Sequence, residues 1–239
     1  MLIDLHTHIL PGLDDGSPDL ETSVQMAVLA AKSGVRDIAA TSHGNGFAYT
    51  AEEYQERFRI LKRELEKRNI PVRLYSGMEI LVHEDTGILL DEGWLLTLGG
   101  TKNILIEFDF EEQGERVCAC IGDLQRRGYG IVLAHPERYL WMQKNPDLAY
   151  FLEEKGCHLQ VNKGSIFGQF GQRPQMLAKQ FLADGIVSIL ASDAHDARYR
   201  TPSMDRLLRY LRERYSQEQI RSWLFENPNA ILQGGMKCS

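Results

Sequence analysis

The chain has 239 residues, 43% of them hydrophobic and 25% charged, the balance of an ordinary soluble globular protein that builds its core without disulfides or a structural zinc. A formal net charge of −6 speaks against a nucleic-acid binder, which usually carries a basic excess, but not against an anionic substrate, which responds to local charge. No stretch approaches the roughly 20 apolar residues of a membrane span, and the start Met1-Leu2-Ile3-Asp4-Leu5-His6 is not that of a signal peptide, so a cytoplasmic protein without direct membrane insertion is expected.

Leu2 to Leu5 reads as a first strand. Ser17 as N-cap and Pro18 at the first helical position then open a helix carrying Leu20, Val24, Ala27, Val28 and Ala31 at helical spacing, ended by Gly34. A second strand runs over 37–41. Thr50 and Glu53 make a capping box for a helix that buries Tyr54, Phe58, Leu61 and Leu65. Further strands are expected at 72–75, 104–106, 131–134, 159–161 and 187–191, with helices near 115–127, 146–155 and 174–184 and a helical end over 203–214, 217–225 and 228–233. Repeated strand–helix units without a linker argue for a parallel sheet in one domain spanning 1–239. Seven strands, and glycines at Gly12 and Gly16 whose spacing does not suit a dinucleotide-binding turn, favour a barrel over a doubly wound sheet.

Polar residues stop these strands in a pattern. His6 and His8 close the first, His43 the second and Glu79 the third. Glu107 closes Asn103-Ile104-Leu105-Ile106-Glu107, His135 closes Ile131-Val132-Leu133-Ala134-His135, and Asp193 and His195 follow Ser188-Ile189-Leu190-Ala191-Ser192. Asp15 stands in the loop after the first strand. In a parallel barrel all strand C-termini lie on one face, where active sites sit. A lone buried histidine there is ordinarily a hydrogen-bonded core residue. Five of the seven histidines at strand ends, with three carboxylates beside them, are another matter, because burying so much charge without metal is costly. His83 and His158 do not fit the pattern and read as structural. Imidazole with carboxylate and no thiolate suits Mn, Fe, Zn or Co, and nine candidates are too many for one ion, so two or three divalent ions are expected, with Glu79 or Glu107 bridging.

Cys118, Cys120, Cys157 and Cys238 show neither zinc-knuckle spacing nor the loop-then-Arg setting of a cysteine phosphatase; they read as ordinary thiols. Arg138 and Arg200 follow ligand strands closely, and the guanidinium fork matches phosphate oxygens. Phe47, Tyr49, Phe110, Tyr139, Trp141, Phe167 and Phe170 lie in segments after the strands, either walling a substrate groove or packing the core.

His6-Thr7-His8-Ile9-Leu10-Pro11-Gly12-Leu13-Asp14-Asp15-Gly16, Thr41-Ser42-His43, Ala134-His135-Pro136-Glu137-Arg138-Tyr139, Gln160-Val161-Asn162 and Ala191-Ser192-Asp193-Ala194-His195 together resemble the PHP (polymerase and histidinol phosphatase) superfamily. More narrowly, the set is similar to the bacterial protein-tyrosine phosphatases of capsular and exopolysaccharide gene clusters, the CpsB/YwqE type. The resemblance implies an α/β fold, a distorted (β/α)7 TIM-like barrel of the PHP type, with a trinuclear, usually manganese-dependent site. It implies dephosphorylation of the phosphotyrosine tail of a bacterial tyrosine autokinase that controls capsular or exopolysaccharide synthesis. His6, His8, Asp15, His43, Glu79, Glu107, His135, Asp193 and His195 match its ligand positions, and Arg138 and Arg200 its phosphate-binding arginines; Asp14 stands as the alternative to Asp15. Gly44 stands where many members carry a second histidine. A small-molecule phosphomonoesterase of the histidinol-phosphatase kind, a metallohydrolase of the amidohydrolase kind and a non-catalytic kinase-binding regulator are the rival readings. The oligomeric state is open.

Overall fold

The computed structural model describes residues 1–45 and 49–235. Each of the seven apolar runs read from the sequence becomes a strand, and two short strands, at His43–Gly44 and Glu79–Leu81, add to them: β1 (Leu2–Thr7), β2 (Val35–Ala40), β3 (His43–Gly44), β4 (Arg73–Ser76), β5 (Glu79–Leu81), β6 (Asn103–Glu107), β7 (Gly130–Ala134), β8 (His158–Asn162) and β9 (Val187–Ala191). Between and after them lie α1 (Leu20–Lys32), α2 (Ala51–Lys67), α3 (Thr86–Asp91), α4 (Gly114–Arg126), α5 (Leu140–Lys144), α6 (Asp147–Glu154), α7 (Lys163–Ile166), α8 (Gln172–Ala183), α9 (Asp205–Arg212), α10 (Gln217–Arg221) and α11 (Asn227–Leu232). Among the described residues no helix is long and apolar enough to cross a membrane.

All strand pairings are parallel, in two sheets ordered β1-β2-β4 and β3-β5-β6-β7-β8-β9. The expected second and third strands are each interrupted, by Thr41-Ser42 and by Gly77-Met78, which is why the ladder divides there. The Tyr54 hydroxyl of α2 spans both breaks, donating to Ala40 O at 2.6 Å and accepting from the Gly77 N–H at 3.0 Å. First and last strands also meet. Thr7 bridges in parallel to Ala194, the His8 N–H donates to Ala194 O at 2.9 Å, and the Asp193 N–H donates to His6 O at 2.9 Å.

Alternate strand residues serve two cores, as the two-residue period of a strand requires. Ile38, Ile104, Ile106, Ile131, Leu133 and Leu159 pack with helix residues such as Ala27, Leu61, Val117 and Phe181. Ile3, Leu5, Ala39, Leu105, Val132, Ala134 and Ile189 form a second cluster, joined from α11 by Ile231 and Leu232. On the Leu105 face of β6, Glu107 comes two residues later, so the apolar cluster gives way to carboxylate at the strand end.

Thr50 and Glu53 form the expected capping box. The start of α1 differs: Asp19 caps it, accepting from the Thr22 N–H, while the Ser17 hydroxyl meets Asp19 O and Ser23. The Ser17 N–H is drawn to His8 O at 3.0 Å, which ties Ser17 to the first strand's exit and leaves the cap to the residue after Pro18. Cys118 and Cys120 are free thiols and Cys157 is buried; Cys238 and Phe47 lie outside the described residues.

Candidate metal centre

The nine residues expected as ligands come together at the strand ends. Their donor atoms form four overlapping groups, each with atoms within 4.8 Å of one another: His8, Asp15, His43 and His195; His6, His8 and Asp193; His6, Glu79 and His135; and His43, Glu79 and Glu107.

Glu79 is the hub. Its Oε2 lies 3.0 Å from Nε2 of His6, 3.1 Å from Nε2 of His8 and 3.3 Å from Nδ1 of His43, and its Oε1 lies 2.7 Å from Nε2 of His135. Glu107 Oε1 approaches Nδ1 of His43 at 2.8 Å. Asp15 Oδ1 faces Nε2 of both His43 and His195, at 3.5 and 3.4 Å. Two of the nine sit on left-handed backbone: φ is +35° at His135 and +50° at Asp193. That conformation disfavours a residue with a Cβ, and such outliers persist where the surrounding structure fixes them, often at functional sites. Here they turn the chain sharply after β7 and β9.

The two neighbouring aspartates divide between different tasks. Asp14 Oδ2 is 2.8 Å from Nδ1 of His8 and accepts the His43 N–H at 2.9 Å, so it orients an imidazole from behind. Asp15 stands at the donor groups themselves. Gly16 is compelled by the same turn, since a Cβ there would lie 2.3 Å from His8 Cβ and 2.4 Å from His8 O.

Electrostatically the cluster opposes acid to imidazole. Burial pushes the Glu79 carboxyl up, but His6, His135 and His8 overcome it and hold it well below the usual carboxylate range. Burial likewise acts upward on Asp193, and His6 and Arg200 reverse it, holding the carboxyl low. The hydrogen bond from His195 leads in lowering Asp15 to about 2. Burial, then Arg138, lowers His135 to about 4, which favours a neutral imidazole with a free lone pair. His6, His8, Glu79, His135 and Asp193 are all 2% exposed or less, so none of this charge is answered by water.

The donors fit divalent cations. His6 and His8 point their Nε2 atoms at each other across 3.2 Å, and both face Glu79 Oε2 and Asp193 Oδ1. Nitrogen and oxygen ligands at about 2.0–2.2 Å from a common ion stand roughly 3–4 Å apart, which is this spacing. A proton satisfies only one pair among so many facing donors; a cation satisfies several. Among the described residues no cysteine enters the groups, consistent with a borderline or hard metal.

Arg138 and Arg200 reach the same carboxylate. Asp193 Oδ2 accepts from Nη1 of Arg138 at 3.1 Å and from Nη2 of Arg200 at 2.6 Å, while its Oδ1 faces His6, His8 and His195. The arginines therefore border the donor cluster. Arg200 keeps a buried Nε without a hydrogen-bond partner.

Several positioning residues were given no role in the sequence reading, although Gln160, Asn162 and Glu137 stand in its motifs. Gln160 Oε1 lies 2.7 Å from Nδ1 of His6, and Asn162 Nδ2 donates to Asp193 Oδ2 at 2.5 Å. Buried Glu137, its carboxyl raised to about 7 by burial, accepts from the Ser165 hydroxyl at 2.6 Å and the Asn162 N–H at 3.0 Å, bracing the turn before Arg138. Asp196 holds the Arg200 loop by accepting the N–H groups of Arg198, Tyr199 and Arg200. Gln160 and Asn162 lie on the strand-end pattern and could have been found by it; Glu137 and Asp196 show their role only in three dimensions.

The aromatic set separates. Tyr139 and Trp141 are buried and stack on each other at 5.2 Å, so they belong to the core. Phe167 packs against Tyr210 and beneath Arg206. The Tyr49 hydroxyl donates to His43 O at 2.5 Å. Phe110 and Phe170 lie against Arg138. His83 and His158 join none of the donor groups.

Parallel strands ending in a cluster of imidazoles and carboxylates bordered by arginines define an α/β protein of the metal-dependent hydrolase kind. Residues 2–233 match the sequence model of the family "Capsular polysaccharide synthesis, CpsB/CapC", and the chain belongs to that family. It is 36% identical over 233 residues to the tyrosine-protein phosphatase YwqE of Bacillus subtilis, covering 97% of this chain and 91% of that protein. It is 29% identical over 238 residues to the tyrosine-protein phosphatase CpsB of Streptococcus agalactiae serotype V, covering 97% and 98%. In structure it matches, at TM-score 0.88 and 34% identity, a chain from the crystal structures of YwqE from Bacillus subtilis and CpsB from Streptococcus pneumoniae, described as unique metal-dependent tyrosine phosphatases; the match covers 98% of this chain and 95% of that one. A phosphotriesterase homology protein from Escherichia coli shares the fold at TM-score 0.61 and 12% identity.

Proposed function

We propose that this protein is a metal-dependent protein-tyrosine phosphatase that acts in capsular or exopolysaccharide synthesis, removing phosphate from the tyrosine tail of a bacterial tyrosine autokinase. The observation that carries this reading is Asp193, whose one oxygen faces three imidazoles and whose other holds Arg138 and Arg200. Phosphate-binding groups and metal-binding groups thus share a carboxylate. The names of the relatives support the tyrosine-phosphatase activity and the capsule setting.

The proposal extends to the whole chain, 1–239, as one domain, and to a reading of the two sheets as a distorted seven-stranded barrel, which the Thr7–Ala194 bridge favours. His6, His8, Asp15, His43, Glu79, Glu107, His135, Asp193 and His195 would hold two or three divalent ions; the nitrogen and oxygen set suits Mn, Fe, Zn or Co, and the family resemblance makes manganese the first choice. Sparse cysteines without the spacing of a disulfide framework, and a phosphoprotein substrate, favour a cytoplasmic setting.

Divalent ions bound there supply Lewis acidity and lower the pKa of a water toward neutrality. The chain's own residues do the rest. Arg138 and Arg200 present guanidinium N–H groups to the phosphoryl oxygens and balance the charge that spreads over them as the ester bond breaks. Asp193, Asn162 and the Asp196-braced loop fix where those guanidiniums stand. Asp14 and Gln160 hold the rings of His8 and His6 in place. A tyrosine phenol, with a pKa of about 10, leaves with less protonation than an alkyl alcohol needs, so no dedicated acid is assigned.

The test is the ratio of kcat/KM for a phosphotyrosine peptide to that for histidinol phosphate and other small phosphomonoesters. Preference for the peptide is expected. Preference for histidinol phosphate would move the function to small-molecule chemistry on the same site.

A further inference from the structure

Phe110 and Phe170 reach Arg138 from different loops. Phe110 follows β6, and its ring centroid is 4.9 Å from the Arg138 guanidinium carbon; Phe170 follows α7, and its centroid is 4.3 Å away. Phe170 also lies 5.4 Å from the guanidinium of Arg200, so it touches both arginines. Phe110 packs against His135 at 6.1 Å and Tyr139 at 5.7 Å, yet remains 39% exposed. A phenyl ring fixed against a buried imidazole but open on its outer side is an unfinished contact at the edge of the donor cluster.

The chain makes room for this arrangement. Gly164 is needed beside Phe170: a Cβ there would stand 2.8 Å from the Phe170 ring and 2.7 Å from Gln169 Oε1. Gly168 and Gly171 take φ of +79° and +102°, turning the backbone on both sides of Phe170 so that its ring comes back over the arginines. The Phe110 carbonyl is tied to the Leu140 N–H at 2.9 Å, which fixes the loop presenting its ring.

We propose that Phe110 and Phe170 form an aromatic slot beside Arg138 that packs the leaving-group ring and selects aryl over alkyl phosphate esters. This deepens, and rests on, the tyrosine-phosphatase reading. The ring of phosphotyrosine begins one oxygen away from phosphorus, so a phosphate held at Arg138 and Arg200 brings that ring to the two phenylalanines. The slender β-carbon of phosphoserine leaves the same surface unfilled. The rings also hold the guanidinium planes by cation–π contact, which lets one feature orient the phosphate and recognise the ring.

The experiment compares phosphotyrosine and phosphoserine versions of one peptide, with inhibition by inorganic phosphate as a separate readout of the arginines. Phe110→Leu and Phe170→Leu should each raise KM for the phosphotyrosine peptide by about 3- to 10-fold, the size of a lost aromatic contact. The changes for the phosphoserine peptide and for phosphate inhibition should be distinctly smaller, within about twofold for Phe110→Leu. Phe110→Tyr should restore the preference. Phe110 is half-open to solvent, so its variants test the slot even where Phe170→Leu unfolds. Equal losses on both peptides and on phosphate would reduce the rings to props for the arginines and overturn the proposal. Unchanged selectivity in variants of an active phosphotyrosine hydrolase would overturn it alone, leaving the tyrosine-phosphatase reading intact. A wild-type enzyme inert on the phosphotyrosine peptide would overturn both.

Discussion

Asp14 holds His8 from behind: its Oδ2 lies 2.8 Å from Nδ1 of the imidazole, whose Nε2 faces Glu79 and Asp193. An ionised carboxylate can only accept, so the proton of that ring belongs on Nδ1 and the lone pair on Nε2 is aimed at the donor cluster. Asp14→Asn should weaken metal binding by about 10- to 100-fold without abolishing it. Asp15→Asn removes a member of the His8, His43 and His195 group and should lose more. Metal titration of both variants followed by calorimetry checks the order. Equal affinity of Asp14→Asn and wild type would remove the orienting role.

Gly16 is predicted to be intolerant of any side chain. The Cβ of alanine would collide with both the Cβ and the carbonyl of His8, neither of which is a flexible end. Gly16→Ala should cost about 1–3 kcal/mol of stability, as overpacking does, and should displace a proposed ligand as well. Chemical denaturation and metal content measure the two effects; an unperturbed, fully loaded variant would contradict the geometry.

The Arg200 loop offers a graded series. Arg200→Ala removes a guanidinium from the proposed phosphate site and should lower kcat/KM by about 100-fold or more. Asp196→Ala leaves Arg200 in the chain but frees the three N–H groups that shape its loop, and should cost roughly 10- to 100-fold through misplacement. Steady-state kinetics on a phosphotyrosine peptide decides it. Full activity in Arg200→Ala would end the phosphate-binding assignment.

Lys163 gives a pH signature. Its ammonium donates to Ser203 O at 2.7 Å and to Thr201 O, just beyond Arg200, and burial lowers its pKa from 10.5 to about 8. The amine thus binds its proton less tightly in the folded protein than in the unfolded chain. Between pH 8 and 10.5 unfolding takes up a proton, so this group's contribution to stability rises with pH across that window and is flat below it. The stability difference between wild type and Lys163→Met should rise in favour of wild type by on the order of 3 kcal/mol over the window. Urea unfolding at pH 7 and pH 10 reads it; a constant difference would show that the amine is not shifted.

Strand ends were the readable part of this sequence, because each strand closes on a polar residue that breaks an apolar run. That one pattern located His6, His8, His43, Glu79, Glu107, His135, Asp193 and His195, which the fold brings into the donor groups. The choice between Asp14 and Asp15 was not readable, since adjacent residues in a loop have no fixed period. It took the turn at Gly16 to set Asp14 behind His8. The splitting of the second and third strands was hidden for a similar reason. Thr41-Ser42 and Gly77-Met78 look like strand continuations until Tyr54 is seen bonding across both gaps. Tyr139 and Phe110 were indistinguishable as candidates, and only burial separates a core ring from one open at the site.

The most direct measurement is phosphotyrosine-peptide hydrolysis by protein stripped of metal with a chelator and then titrated with manganese, bound ions being counted in the same samples. Activity should vanish on stripping and return in step with binding, saturating at two or three ions per chain. Undiminished hydrolysis by the stripped protein, or an inert protein with its ions restored, would contradict the metal-dependent phosphatase.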